Sequence, residues 1–170
     1  MKTALFTIIL FLSMQANAST VDSIQYRDGK VIIEEVIQVP KTTASQLYGK
    51  AKVFFSKAFV SSKKAIDSED EANHTIIGKV RITDHEDQGF GGIYYNFTLT
   101  IQTKDERYRY TLSDITIEMT GLAPMTITAE KSAKTANEKG SMEPMNGYYK
   151  KTEPLIALLK QQMISKDDNW

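Results

Sequence analysis

Side chains of the metal-ligand type gather at one place in this sequence. His85 lies among Asp84, Glu86 and Asp87, and His74 precedes this group; the chain has two histidines and no cysteine. A transition-metal site needs several convergent nitrogen or sulfur ligands, whereas neighbouring residues on a strand point to opposite faces. A weak calcium contact through the three acids stays open, although the spacing is not that of an EF-hand. We interpret the group as a polar turn and expect no resident metal.

The sequence offers no candidate residues for nucleophilic catalysis. Cysteine is absent, and no serine stands in the Gly-x-Ser-x-Gly context of a nucleophile elbow. The run Gly89-Phe90-Gly91-Gly92 would cradle a phosphate if a helix followed, but a strand-like pattern follows, so turn geometry explains these glycines better. We nominate no catalytic and no cofactor-binding residues, and we expect no cofactor.

Positive charge is concentrated on two predicted surfaces. From Lys41 to Lys64 the chain has six lysines and no acid. This run could meet an anionic envelope polymer, but it is more typical of a solvated helix face. The second surface is the open face of the predicted sheet, where the strand patterns place Lys79, Arg81, Tyr94, Asn96, Arg107 and Arg109. Such a face could bind an acidic ligand, although any solvated strand face carries similar residues.

Hydrophobic periodicity predicts the elements that position these residues. Thr43 and Gln46 match a capping box, and the apolar stripe after them predicts a helix over 44–60. Alternating apolar residues predict strands at 31–39, 75–83, 93–102 and 107–119, with a weaker strand at 63–66 and an acidic connection at 67–71. A C-terminal helix is predicted from residue 152, with Pro154 in its first turn.

Parity restricts the hairpin between the last two predicted strands. Tyr95, Phe97 and Leu99 have odd numbers, whereas the apolar residues after Arg107 have even ones. For these two sets to share one face, each residue of the first strand must pair with a residue of the second whose number gives an odd sum with its own. A four-residue loop at 103–106 is predicted, because a two-residue loop would favour glycine or asparagine. The apolar phase slips by one residue at 113–114, which predicts a bulge or bend there.

Residues 1–18 match a bacterial signal peptide. Lys2 precedes an apolar run that ends at Ala16-Asn17-Ala18, a small-x-small cleavage pattern. The run is about half of the ~20 residues that a membrane span needs, and no cysteine stands at the cleavage site to carry a lipid. We expect export to the periplasm or beyond, without a membrane span and not as a lipoprotein.

Composition and charge indicate a single domain and no nucleic-acid partner. Lys plus Arg and Asp plus Glu each number 21, so charge gives no general attraction to nucleic acid or to an anionic membrane. Without disulfides the fold must be stabilised by burial. The chain is divided into a signal peptide (1–18), a flexible lead-in (19–29), an α+β core (30–119), a variable polar segment (120–151) and a C-terminal helix with a tail (152–170).

The predicted order of elements is β-α-β-β-β-β-α. Antiparallel neighbours with helices gathered on one side predict an α+β fold. In this fold a curved antiparallel sheet of about five strands carries two helices on one face and leaves its other face open.

Several short motifs resemble domain-of-unknown-function family 4468. They are Ser45-Gln46-Leu47-Tyr48, Gly78-Lys79, Tyr95-Asn96-Phe97-Thr98-Leu99, and Lys104-Asp105 with Arg107-Tyr108-Arg109-Tyr110. The resemblance covers 31–119 and implies a TBP-like fold in a secreted protein of Gram-negative bacteria. It implies no activity. It leads us to expect glycine after Asp105, where this chain has Glu106.

The function that these patterns favour is a secreted, non-catalytic binding module that holds a protein or an anionic glycan on the open sheet face. Its charge would come from the four cations of that face, and contact area from Tyr94 and Tyr149. Two alternatives stay open. One is a carboxylate-dependent hydrolase of envelope or extracellular glycans, for example with a carboxylate pair at 84–87; as a retaining enzyme it needs two carboxyl groups ~5–5.5 Å apart. The other is a structural envelope protein.

Overall fold

The computed structural model describes residues 24–59, 65–87, 91–139 and 143–165. Within them, seven strands form one antiparallel sheet and three helices pack on one of its faces. The strands are β1 (Ile24–Arg27), β2 (Lys30–Gln38), β3 (Ile66–Asp70), β4 (Thr75–Asp87), β5 (Gly91–Lys104), β6 (Arg107–Met119) and β7 (Met125–Thr128). The helices are α1 (Ala44–Ala58), α2 (Ala129–Lys139) and α3 (Glu143–Ile164). The predicted signal peptide lies outside the described residues.

The strand order across the sheet is β1-β2-β6-β5-β4-β3, and β7 pairs with the second half of β6. Helix α1 carries the chain from β2 to the far edge, and the strands from β3 to β6 then return until β6 pairs with β2. The predicted α+β class, antiparallel sheet and single helical layer are confirmed. In the described part of the chain the sheet has seven strands rather than about five, and it carries three helices rather than two.

Helix α1 forms the centre of the core, as its apolar stripe predicts. Its capping box is present: Gln46 N donates to Thr43 Oγ1 (3.3 Å), and Thr43 N donates to Gln46 Oε1 (2.9 Å). The Phe55 ring is fully buried and packs against Gly78 of β4, where no side chain separates helix from sheet. The missing Cβ of Gly78 therefore sets how closely α1 approaches the sheet.

The β5–β6 hairpin has a two-residue turn, so the predicted four-residue loop at 103–106 was wrong. Lys104 pairs with Arg107, which keeps the predicted odd-sum register. Glu106 adopts φ 62°, the left-handed conformation that favours glycine. Bonds to the β2–α1 connection hold it there: its backbone N–H donates to Thr42 O (2.8 Å), and its carbonyl accepts from Val39 N (2.7 Å).

The predicted bulge in β6 is confirmed. Thr116 pairs with Asn96, but Ser113 pairs with Thr98, so two residues of β6 lie opposite one residue of β5. Asp114 occupies the bulge with φ 52°. Its carboxylate accepts from Lys30 Nζ (2.7 Å), and this contact lowers the pKa of Asp114.

Both edges of the sheet differ from the sequence prediction. Residues 24–27, predicted as part of a flexible lead-in, form β1 and pair with β2 across a turn at Asp28 and Gly29. Residues 66–70, mostly predicted as an acidic connection, form β3 and pair with β4. The strand predicted at 63–66 lies largely outside the described residues. Both strands are short, and pairing with an apolar neighbour stabilises them more than their own sequence does.

The segment 120–151, predicted as variable and polar, contains regular secondary structure where the structure describes it. Strand β7, helix α2 and the start of α3 occupy this range. Helix α3 begins at Glu143, so Pro154 lies inside the helix rather than in its first turn. An internal proline removes one backbone hydrogen bond. In the preceding turn the Thr152 hydroxyl bonds the carbonyls of Tyr148 (3.3 Å) and Tyr149 (3.2 Å).

Candidate functional site

The open face of the sheet carries all six residues of the predicted binding surface. Strand alternation buries Val80, Phe97 and Tyr108 under the helices and turns their neighbours to the opposite side. The six residues do not form one patch. Asn96 and Gln102 on β5 mark two separate regions, because six strand residues span about 20 Å.

The Arg81 cluster consists of Arg81, Tyr94, Asn96 and Glu118. The guanidinium carbon of Arg81 lies 3.8 Å from the centre of the Tyr94 ring, a cation–π contact. Glu118 Oε2 lies 3.4 Å from Arg81 Nη1 and accepts from Asn96 Nδ2 at 3.2 Å. The cluster therefore balances its own charge, and the stacked guanidinium covers one face of the Tyr94 ring.

Arg109 lies at the other end of the face and is held by its neighbours. Its Nε donates to Gln102 Oε1 (3.1 Å), and its Nη1 lies 3.6 Å from Glu34 Oε1. The same carboxylate also contacts Arg27 Nη2 (3.5 Å) and accepts from Thr111 Oγ1 (3.0 Å). Arg109 is thus fixed in position with part of its charge compensated.

Acidic residues face three of the four cations that were predicted on the open face. Glu118 faces Arg81 and Glu34 faces Arg109, while Lys79 Nζ lies 3.3 Å from Asp67 Oδ1 at the β3 edge. The Arg81–Glu118 and Lys79–Asp67 pairs are substantially exposed, so each stabilises the fold by at most about 1 kcal/mol. Their main effect is to confine unbalanced positive charge to the hairpin end of the face.

We call the depression at that end the hairpin groove. It has a volume of about 340 Å³ and opens to solvent. It is lined by Val36, Asn73, Gln102, Thr103, Lys104, Arg107, Tyr108 and Arg109. Among the described residues, neither Lys104 nor Arg107 has an acid within ion-pair distance. Positive charge is therefore available to a ligand here.

The two acids of the hairpin turn bond away from this groove. Asp105 Oδ1 accepts from the backbone N–H of Ala44 (2.8 Å), at the start of α1. Glu106 Oε1 accepts from the backbone N–H of Lys41 (3.0 Å). Both carboxylates thus serve the β2–α1 connection instead of forming ion pairs with the neighbouring cations.

The lysines of α1 contact β3 and the end of α3, so they do not form a free cationic face. Lys52 Nζ lies 2.8 Å from Glu69 Oε2 of β3, and this carboxylate raises the lysine pKa. Lys50 donates to the Ser165 carbonyl (2.6 Å) and Lys57 to Gln162 Oε1 (3.0 Å), both at the end of α3. Lys63 and Lys64 lie outside the described residues.

The histidine and acidic group does not form the predicted turn. Residues 84–87 continue β4, with a register shift between Thr83 and His85; the side chains of 85–87 lie outside the described part of the chain. Asp84 contacts Lys151 Nζ, and His74 Nε2 lies 3.1 Å from Ser45 Oγ. The side chains that are described include no group of three metal-ligating residues.

One of the glycines in the run 89–92 has a steric reason. Gly91 adopts φ 112°, and a Cβ there would collide with the backbone of Thr120. Gly92 N donates to Thr120 Oγ1 (2.8 Å), a bond that joins the start of β5 to the residue that follows β6. The close approach of Thr120 therefore explains the glycine at position 91; Gly89 and Phe90 lie outside the described residues.

Tyrosines beneath the sheet belong to the core. Tyr149, predicted as contact area for a partner, packs against the core, and burial raises its pKa to about 12. Burial raises the pKa of Tyr110 still further, with its hydrogen bond to Glu35 Oε2 (2.7 Å) as a second cause. Lys160 of α3 lies 2.8 Å from the same carboxylate oxygen. This group joins β2, β6 and α3, and Tyr149 packs against the core on the helix side of the sheet rather than on the open face.

Sequence reasoning missed half of the groove. Lys104 and Gln102 were assigned to the loop or to a plain polar face, and Asn73 and Val36 were not considered. The odd-sum register was the available signal, because a two-residue turn places Lys104 beside Arg107 and Gln102 beside Arg109.

Among the described residues, no helix is long and apolar enough to cross a membrane.

Comparison with known proteins identifies the fold. The family model described as "Domain of unknown function (DUF4468) with TBP-like fold" matches residues 34–118. A crystal structure of a DUF4468 family protein from Bacteroides ovatus is similar with a TM-score of 0.59 and 19% identity, covering 88% of this chain and 95% of that one. A TBP-like protein from Parabacteroides distasonis gives a TM-score of 0.66 at 15% identity, covering 85% and 99%. No curated protein matches the sequence.

Proposed function

We propose that this chain, which belongs to the DUF4468 family with its TBP-like fold, is an exported, non-catalytic binding module that uses the open face of its sheet. The family name assigns no activity, so the proposal depends on the residues of this face. The pattern of residues 1–18 supports the export part of the proposal.

The observation that carries the proposal is the hairpin groove. All three described helices pack on the opposite face, so the groove is reachable from solvent. Lys104 and Arg107 bring positive charge to it, and Gln102 holds Arg109 in place beside them. Fixed cations that are not already paired bind anionic partners more strongly than paired ones, because no internal contact must first be broken.

The residues of the open face favour binding over hydrolysis. A glycosidase needs two carboxyl groups facing each other across a cleft. Glu34 and Asp67 instead each face a cation on a neighbouring strand, and Glu118 faces Arg81 from two strands away. The carboxylates of this face therefore have structural partners.

A pull-down from the envelope and medium of the source cell tests the binding function. The bait is residues 19–170, compared with an Arg107→Gln plus Arg109→Gln double variant. Lys131→Gln plus Lys134→Gln is the matched control, because it removes two positive charges from exposed positions of α2. We expect parent and control to retain the same partner and the double variant to lose it, with a Tm within a few degrees of the parent. Retention by a folded double variant would contradict the proposal.

Export is tested separately by cell fractionation and intact mass. We expect the protein in the periplasm or medium with Ser19 as its first residue. A cytoplasmic protein that keeps residues 1–18 would refute export but would leave the binding function intact.

A further inference from the structure

We infer that the hairpin groove binds the carboxylates of an acidic peptide segment from a partner protein. This inference rests on the proposed function and adds a ligand class to it.

The charge around the groove favours an anion. Lys104, Arg107 and Arg109 line it, and Glu34 is the acid that faces one of them, at 3.6 Å from Arg109. Asp70, near the groove wall, accepts two hydrogen bonds from Asn73, which lower the pKa of its carboxyl. The lining of the groove therefore holds three cations and no acid, and the two acids of the hairpin turn bond to the backbone N–H groups of Ala44 and Lys41.

The arrangement of the donors suits a carboxylate. Arg107 and Arg109 lie two residues apart on β6, so both side chains leave the same face. Lys104 lies directly opposite Arg107 in the hairpin. A guanidinium donates through a planar fork that matches the two oxygens of a carboxylate, and Lys104 adds a second donor from the neighbouring strand.

The groove also offers apolar contact beside its cations. Val36 pairs with Arg109 across β2 and β6, and its side chain is 52% exposed. An exposed valine next to two arginines suits a ligand that places an aliphatic group beside a carboxylate. Acidic peptide segments with interspersed aliphatic residues have this chemistry.

The open face suits a peptide better than an acidic glycan. Sugar rings commonly pack their C–H faces on a free aromatic ring. Tyr94 is the one aromatic side chain that the described strands direct to this face, and Arg81 already stacks on its ring at 3.8 Å. The groove itself has no open-face aromatic residue.

An NMR titration of ¹⁵N-labelled residues 19–170 tests the inference. The probe is the capped peptide Ac-Val-Glu-Val-Glu-Val-NH2, and its glutamine analogue is the uncharged control. We expect the acidic peptide to shift the amides of Gln102, Lys104, Arg107 and Arg109 and the analogue to shift none of them. Arg107→Gln should weaken binding about tenfold, the effect of losing one charge-assisted hydrogen bond. Arg81→Gln, in the self-balanced Arg81 cluster, should leave the affinity unchanged.

The other outcomes overturn the inference in distinguishable ways. Trigalacturonate that shifts the groove amides at lower concentration than the peptide would assign the groove to an acidic glycan. Equal binding of both peptides, shifts confined to the Arg81 cluster, or no shifts at millimolar peptide would show that the groove is not a peptide-carboxylate site. If the double variant still loses its partner in the pull-down, the proposed binding function stands with another ligand. If the double variant keeps its partner, the proposed function and this inference both fail.

Discussion

Replacing Gly78 by alanine should destabilise the fold, because Gly78 lets α1 approach the sheet. A Cβ at this position would lie 2.8 Å from Phe55 Cζ and from the Ala65 carbonyl oxygen, and closer still to Phe55 Cε1. Favourable carbon–carbon contacts are ~3.5–4.0 Å. The Phe55 ring is fully buried, and the carbonyl belongs to the backbone, so neither can move away freely.

The magnitude follows from two opposing effects. Overpacking of a filled core costs about 1–3 kcal/mol. Alanine in place of glycine reduces the entropy of the unfolded chain, which returns roughly 0.4–1 kcal/mol. The free energy of unfolding should therefore fall by about 1–2 kcal/mol, which lowers Tm by roughly 2–8 °C for a domain of this size.

Thermal and urea denaturation measure this effect, and Gly49→Ala is the matched control. Gly49 lies within α1, and a Cβ there would meet nothing within 4 Å. This control should raise the free energy of unfolding by up to ~1 kcal/mol through helix propensity. Gly78→Ala should cost less when Phe55→Leu is already present, as a double-mutant cycle detects. A Gly78→Ala protein as stable as the parent would refute the described packing of α1 on the sheet.

Three further predictions concern stability. Tyr110→Phe removes the hydrogen bond to Glu35, whereas Tyr148→Phe removes a buried hydroxyl without a partner among the described residues. In urea denaturation the free energy of unfolding should fall by about 1–2 kcal/mol for Tyr110→Phe and stay unchanged for Tyr148→Phe. Equal losses would be inconsistent with these contacts. Burial raises the pKa of Tyr149 to about 12 from an ordinary 10.0. The free energy of unfolding should therefore be at its full value below pH ~10 and decline above it, because the unfolded chain ionises first. A Tm that is unchanged up to pH ~11 would argue against this burial. Thr43→Ala should cost about 1 kcal/mol by removing the helix cap and Thr43→Ser much less, and equal losses in denaturation would show that the hydroxyl does not cap α1.

The sequence predicted the elements whose stability is local. Alternation identified the central strands, and the capping box with three phenylalanines identified α1. The phase slip at Ser113 and Asp114 located the bulge, because a buried face tolerates no uncompensated change of register. These signals depend on side-chain order along the chain alone.

The missed features depend on distant contacts. Strand β3 is mainly polar and exposed, and it forms because β4 offers a pairing edge. The two-residue turn needs Glu106 in a left-handed conformation, which bonds to Thr42 and Lys41 make possible. No local pattern could indicate partners about sixty residues away.

The candidate site was predictable by face but not by charge. Strand parity placed Arg81, Arg107 and Arg109 on the open side, where the structure has them. Which of these cations face acids depends on register across strands, and Glu118 reaches Arg81 from two strands away. The groove became recognisable only when Lys104 was placed beside Arg107.

In-cell photo-crosslinking tests most directly whether the open face binds a partner. A photoreactive residue replaces Thr100, which lies between Ile77 and Thr111 at the centre of that face. The comparison places it at Gln161, an exposed position on α3 at the opposite side of the molecule. The account predicts a discrete crosslinked product from position 100 that Arg107→Gln plus Arg109→Gln abolishes, and none from position 161. A product from position 161 alone, or one from position 100 that survives the double substitution, would contradict it.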